Sequence, residues 1–336
     1  MEYTQVKVLV VMLAILMFSE AKAQDPVFSQ FYAAPLQVNP AFTGNTYTPN
    51  IALNARNQWS GWPGTAYATY AASVDQFIEP LNIGLGLMVS TDNAGNGLFL
   101  INNLTGFFSY KVELGNDWNV KLGIEAGAWQ SRINSAKLVF MDQLDVIGGN
   151  DGKNPTQEGP ILDENLTVLD ISTGIIVYNP IFYAGVSLKH INTPNDVFFA
   201  SSQEFVTGLP VRYSVHGGAQ IVLREGNKSR LNTFISPNVL FERQVNLNQI
   251  NVGAYGGIGS VFAGAWFRHT FQNADAAILL VGFRQKAFKI GYSYDFTVSS
   301  SLTNQNSAGS HEISVGINFD YNRRKVNYND CFNLFR

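Results

Sequence analysis

The residues with the widest reach for chemistry are few and dispersed. The chain has four histidines, His190, His216, His269 and His311. They share no local spacing, and His216 and His269 fall on separate expected strands, so no metal site is implied. Asp142, Asp145, Asp151, Glu158, Asp163 and Glu164 make one loop acidic. Their spacing does not match an EF-hand loop, and the run reads as a solvated loop rather than a Ca²⁺ site. Near the C-terminus, His311-Glu312 sets an imidazole next to a carboxylate in the sequence. A catalytic dyad there would need a third, orienting group, and none can be named. His311-Glu312 is expected as a polar pair at the start of the final strand, near the rim. There is no GxSxG elbow, no HExxH and no phosphate loop. The single cysteine, Cys331, excludes an intramolecular disulfide and a CxxC site, and reads as a free thiol in a tail. The expectation is a protein with no catalytic residues, no metal and no cofactor.

Composition places these residues in an unusual solvent. Charged residues make up only 14% of the chain and the net charge is −3. A nucleic-acid protein would show a basic patch or stripe. A soluble surface would carry charged residues near ~25% of the chain. Glycine (30 residues) and aromatics (13%) are abundant. Residues 1–23 read as a signal peptide: Lys7, the apolar run Val8–Phe18, then the small-x-small site Ala21-Lys22-Ala23. That run is too short to span a bilayer as a helix, which needs ~20 apolar residues. No cysteine stands at the cleavage site, so a lipoprotein is not expected. An exported, charge-poor, glycine- and aromatic-rich chain fits a transmembrane β-barrel.

Periodicity names the elements. Trp118, Val120, Leu122, Ile124, Ala126 and Ala128 alternate with Asn119, Lys121, Gly123, Glu125 and Gly127. Phe288, Ile290, Tyr292, Tyr294 and Phe296 alternate with Lys289, Gly291, Ser293 and Asp295. Period two puts the sets on opposite faces of a sheet. The pattern predicts an all-β, antiparallel transmembrane barrel of about fourteen strands over 50–320. Its first spans are 50–59 and 64–76, and its last are 286–296 and 311–320. Pro237 predicts a bulge or an early strand end. Long gaps follow strands five, seven and thirteen, all odd, so one end should carry every long loop. By analogy with other outer-membrane barrels, that end is extracellular and both termini are periplasmic. The apolar face should meet outer-membrane lipid. Lys121, Glu125, Asp170, Lys189, Arg212, His216, Gln220, Lys289, Asp295 and Glu312 should face the lumen, as salt-bridged filler or, alternatively, in a conduction or selectivity role.

The barrel is preceded by a strap, 24–49, whose first part is QDPVFSQFYAAPLQVNPAFTG, Gln24–Gly44. Pro26, Pro35 and Pro40 make it unfit for a helix or an inner strand. It is too aromatic for a disordered linker. Phe28, Phe31, Tyr32, Asn39, Pro40, Phe42 and Gly44 are its candidate plug or partner-binding residues. The bland alternative is an arm that packs on its own domain. After the barrel, 321–336 reads as a periplasmic tail carrying Arg323, Arg324 and Lys325, set to contact an acidic partner or to lie in solvent.

DPxFSQFY followed by PLxxNPAFTG resembles the opening of the PorP/SprF family of outer-membrane proteins in Bacteroidetes type IX secretion and gliding motility. GYSYDFTVSS (Gly291–Ser300) and GSHEISVGINF (Gly309–Phe319) resemble that family's C-terminal region, so Tyr294, Asp295, His311 and Glu312 are family-motif positions. The resemblance implies a structural component of the secretion machinery that binds, helps export or tethers a large secreted adhesin through the adhesin's C-terminal domain. The other reading, from the strands alone, is a passive pore or hydrophobic-solute transporter with the strap as its hatch.

Overall fold

The alternating runs pair in sequence order and close on themselves. The structure is a computed structural model that describes residues 25–59, 67–140, 143, 165–195, 208–225, 232–271, 273–285, 287–298 and 309–319. The signal peptide, the acidic loop positions, Cys331 and the 321–336 tail lie outside the described residues. The strands are β1 (Asn50–Gln58), β2 (Tyr67–Ile78), β3 (Ile83–Ala94), β4 (Phe99–Gly115) and β5 (Trp118–Ile133). Then come β6 (Asn165–Tyr178), β7 (Phe182–Lys189), β8 (Arg212–Ala219), β9 (Ile221–Arg224) and β10 (Thr233–Gln244). The last are β11 (Leu247–Ile258), β12 (Val261–Thr270), β13 (Asn273–Gln285), β14 (Phe288–Thr297) and β15 (Ser310–Asn318). β8 and β9 are two pieces of one stave, both paired with β10. β15 pairs with β1, which closes an antiparallel barrel of 14 strands.

The break between β8 and β9 locates the irregularity that Pro237 predicts. The expected bulge or early end at Pro237 itself is not found: β10 runs through it, and Pro237 faces outward opposite Ala254. The defect falls on the neighbouring stave. Asn238 pairs with Gly218, so Pro237 stands opposite Ala219 and offers it no N–H. The Ala219 carbonyl accepts instead from Ser236 Oγ, at 2.6 Å. One hydroxyl stands in for the missing amide, and the strand continues.

Along each strand one set of side chains faces out. Leu122 (50% exposed), Ile124 (56%), Ile290 (51%) and Tyr292 (40%) belong to a continuous apolar outer band. Outward aromatics edge it: Phe271 and Phe296 at one end, Tyr110, Trp118, Phe182 and Phe288 at the other. Such girdles mark the membrane interfaces of outer-membrane barrels. Placing a charge in this band should be costly. Ile290 stands two residues from Phe288 at the girdle, so Ile290→Arg is expected to lose an amount between the ~0–1 kcal/mol of the interface and the ~2–4 kcal/mol of the bilayer midplane, read by denaturant unfolding from lipid vesicles. An unchanged midpoint would remove Ile290 from the lipid face.

The inner face is mixed rather than polar throughout, which corrects the sequence reading. Met88, Phe107, Ile176, Tyr183, Leu240 and Trp266 point inward and form one buried cluster with strap residues. A barrel of this strand number is too wide for its own wall side chains to fill, and the strap fills it. The prolines do not keep the strap from helical turns: it contains single turns at Phe31–Ala33, Pro35–Val38 and Pro40–Phe42. Pro35 and Pro40 open two of them, at the position where a missing N–H costs nothing.

Candidate functional site

The inward side chains converge on the strap, and they do so at three stations. The strap's own turns leave many peptide groups unpaired, and buried peptide groups must find partners. At the first station, Glu312 accepts from the backbone N–H groups of Ser29 (2.7 Å) and Gln30 (2.9 Å). The Gln30 amide reaches Ser293 Oγ and the Glu312 carbonyl. Asp295 accepts from the Ser29 hydroxyl and pairs with both Arg56 and Arg268 at 3.1 Å. Arg268 also pairs with Asp275, and Arg56 donates to the Val27 carbonyl. Two guanidinium groups and three carboxylates thus surround the Val27–Gln30 segment.

At the second station the strap begins. The Asp25 N–H donates to Gln244 Oε1 (3.0 Å), and its carboxylate meets His190 Nε2 (2.7 Å) and Arg212 (3.2 Å). His190 Nδ1 lies 2.9 Å from Asp170. Lys189 pairs with Glu125 at 2.5 Å and reaches the Leu36 carbonyl; Arg212 donates to the Gln37 carbonyl. A chamber of about 60 Å³ lies here, bordered by Asp25, Asp92, Glu125, Asp170, His190 and Arg212. At the third station the strap leaves. Asp75 accepts from the Gly44 N–H (2.7 Å), while Lys121 and Ser109 donate to the Thr43 carbonyl.

Between the stations the strap packs through rings and close approach. Tyr32 stacks on Tyr255 and Trp266, at 5.8 and 5.5 Å between centroids. Asn39 caps the turn at Ala41 with its Oδ1 (2.8 Å), and its Nδ2 lies 3.0 Å from His216 Nε2. Gly123 and Gly174 make room for this segment: a Cβ at Gly123 would stand 2.2 Å from the Ala41 nitrogen, and one at Gly174 2.0 Å from Asn39 Oδ1. Phe28, Phe31, Tyr32 and Phe42 are 1–3% exposed, and Asn39, Pro40 and Gly44 are buried.

Two expectations change here. His311 and Glu312 are not one polar pair: they face opposite sides, Glu312 into the lumen on the strap and His311 outward against Tyr292 (2.8 Å). Tyr294 and Asp295 divide in the same way. The strap does not begin at the short-turn end beside the end of β15. Asp25 lies among Arg212, Gln244 and His190, at the strand ends that carry the 134–164 and 190–211 connections, and the strap crosses the whole lumen before β1. The sequence reading missed Arg56, Asp75, Ser109, Ser187 and Arg268 as strap ligands. Their signal was an inward polar residue opposite a proline-rich segment whose short turns leave backbone groups without partners of their own.

Asp25 and His190 give the strap's start a pH dependence. Burial opposes the charge on both, but their mutual attraction, with Arg212 and Asp170, wins. Asp25 is held well below the usual carboxylate range, and His190 is raised from 6.5 to about 9. The His190 contribution is complete below pH ~6.5 and is lost as pH rises through about 9; the Asp25 contribution is present above pH ~4 and fades below it. Protease access to the strap start should therefore rise between pH 7 and 10 in the native chain. A His190→Gln variant should show no such rise, and equal profiles would refute the pairing.

The profile of the family described as type IX secretion system membrane protein PorP/SprF matches residues 20–317. The chain belongs to the PorP/SprF family. It is therefore a membrane protein of type IX secretion, and its barrel is that of an outer-membrane protein. No curated protein matches the chain. Among solved structures, this PorP/SprF barrel is similar to a Pseudomonas aeruginosa FadL homologue, at 10% identity over 81% of this chain and 89% of that one, with a TM-score of 0.37. The TodX ΔS2S3 mutant, a monoaromatic hydrocarbon channel, aligns at 10% identity over 84% and 92%, TM-score 0.46. A bacterial polysaccharide outer membrane secretin aligns at 7% identity over 81% and 99%, TM-score 0.36. At these identities the likeness is one of barrel fold.

Proposed function

We propose that this PorP/SprF-family barrel is a non-enzymatic, partner-holding component of type IX secretion, which binds, helps export or tethers a large surface adhesin or a machinery subunit. The observation that supports this reading is the strap: it crosses the lumen from the long-loop end to the start of β1 and is bonded to the wall at three stations. A barrel occupied in this way is a poor conduit for solutes and a rigid mount for loops. Binding functions concentrate on loops held by a rigid scaffold. In this reading the long connections lie outside the cell and meet the partner's exported end, while the tail and the short turns face the periplasmic machinery. Deleting the gene and taking an inventory of surface and secreted proteins tests it. Loss of one or a few surface proteins from an otherwise intact outer membrane is the expected result. No lost protein, with slower uptake of a small apolar solute, would overturn the reading in favour of a transporter.

A further inference from the structure

One hollow among the described residues lies outside the barrel, on the lipid face of β15 and β1–β6. Its volume is about 730 Å³, within the ~300–1,000 Å³ range of ligand sites. Strand register explains its shape. One outward row runs Leu53, Ala72, Val89, Leu104 and Ala128 across five strands. The row two residues nearer the long-loop end contains Ala55 and Tyr70, then Thr91, Asn102, Gln130 and Thr167. Ala55, Ala72 and Ala128 leave depth where leucines elsewhere fill the band. The second row turns polar as it proceeds: Asn102 donates to Gln130 at 3.4 Å, and Gln130 to Thr167 at 3.5 Å. Two residues beyond Gln130 on the same face of β5, Arg132 is exposed, opposite Leu100 and Asn165.

Apolar depth, an amide ladder and a guanidinium thus follow one another along the membrane normal. A side-chain amide facing hydrocarbon is unfavourable unless something polar meets it. An acyl lipid has this same order: chains, ester linkages, phosphate. We propose that the hollow is a site for one phosphate-bearing membrane lipid, with its chains on the alanine floor, its ester region on Asn102 and Gln130, and its phosphate on Arg132. Arginine suits that last contact, because its planar donors match phosphate oxygens.

The test uses the full chain, washed free of lipid in mild detergent and titrated with phosphatidylglycerol, with adducts counted by native mass spectrometry. The native chain should take one adduct saturably and prefer phosphatidylglycerol to diacylglycerol. Ala72→Phe with Ala128→Phe fills the floor without touching the lumen and should bind about tenfold more weakly. Arg132→Gln leaves the floor intact and should lose the preference over diacylglycerol. Heat-modifiable gel mobility reports that each variant is folded. The proposal fails if the native chain binds non-saturably, if the floor-filled variant binds equally, or if a second protein chain rather than lipid is retained. Should the floor-filled variant not fold, an unchanged preference in Arg132→Gln is sufficient to overturn it.

Discussion

Glu312→Ala is expected to release the start of the strap while leaving the barrel wall paired. Glu312 holds two successive strap N–H groups, and each loses its only strong acceptor when the carboxylate is removed. A buried donor left unsatisfied costs ~1–3 kcal/mol, so the variant should lose about 2–5 kcal/mol. The cations beside it are not orphaned: Arg56 and Arg268 keep Asp295, and Arg268 keeps Asp275. The loss should therefore fall on the strap rather than on the wall. Limited proteolysis within Val27–Gln30, alongside denaturant unfolding from vesicles, separates the two. Glu312→Gln retains one acceptor and should lie between the variant and the native chain. A Glu312→Ala protein with native protease resistance and a native unfolding midpoint would show that the strap is held by its aromatic packing alone.

The wall was legible in the sequence because every strand carries its own evidence. A run such as Phe288–Phe296 alternates so strictly that one residue of slippage would exchange lipid for lumen along its whole length. The family match covers the same stretch. Pro237 was legible as a defect but not as to its place, because a missing N–H is felt by the neighbouring strand that would have accepted it. The interior was less legible. Phe107, Ile176 and Leu240 read as exceptions to a polar inner face until the strap is laid against them. Asp25, His190 and Arg212 are separated by as many as 187 residues (212 − 25), and no local pattern joins them. A segment that pairs with wall side chains instead of with strands leaves no period in the sequence.

Removing the strap should convert a closed barrel into an open one. The native chain, reconstituted in planar bilayers, is expected to conduct near baseline, because Tyr32, Leu36 and Phe42 are packed into the inward cluster at mid-lumen. Deleting residues 25–44 would leave an interior lined by Arg56, Asp75, Lys121, Glu125, Arg212 and Glu312, all inward-facing. Small eight-stranded barrels fill with their own side chains, whereas 16–18-stranded ones leave an aqueous channel. A barrel of 14 strands stands close to the second case, and its interior charges would draw in water. Conductance should rise by at least about an order of magnitude, with weak ion selectivity because both signs line the lumen. Gly123→Val supplies an independent route that keeps the strap in the chain. Its side chain would collide with the Ala41 backbone, yet it faces inward and leaves the pairing of β5 with β4 and β6 untouched. The strap should be displaced at that point, giving intermittent openings and new protease sites between Asn39 and Gly44. If both variants fold and neither conducts, the strap is not what closes the barrel. If the native chain already conducts as a porin does, the partner-holding reading loses the observation that supports it.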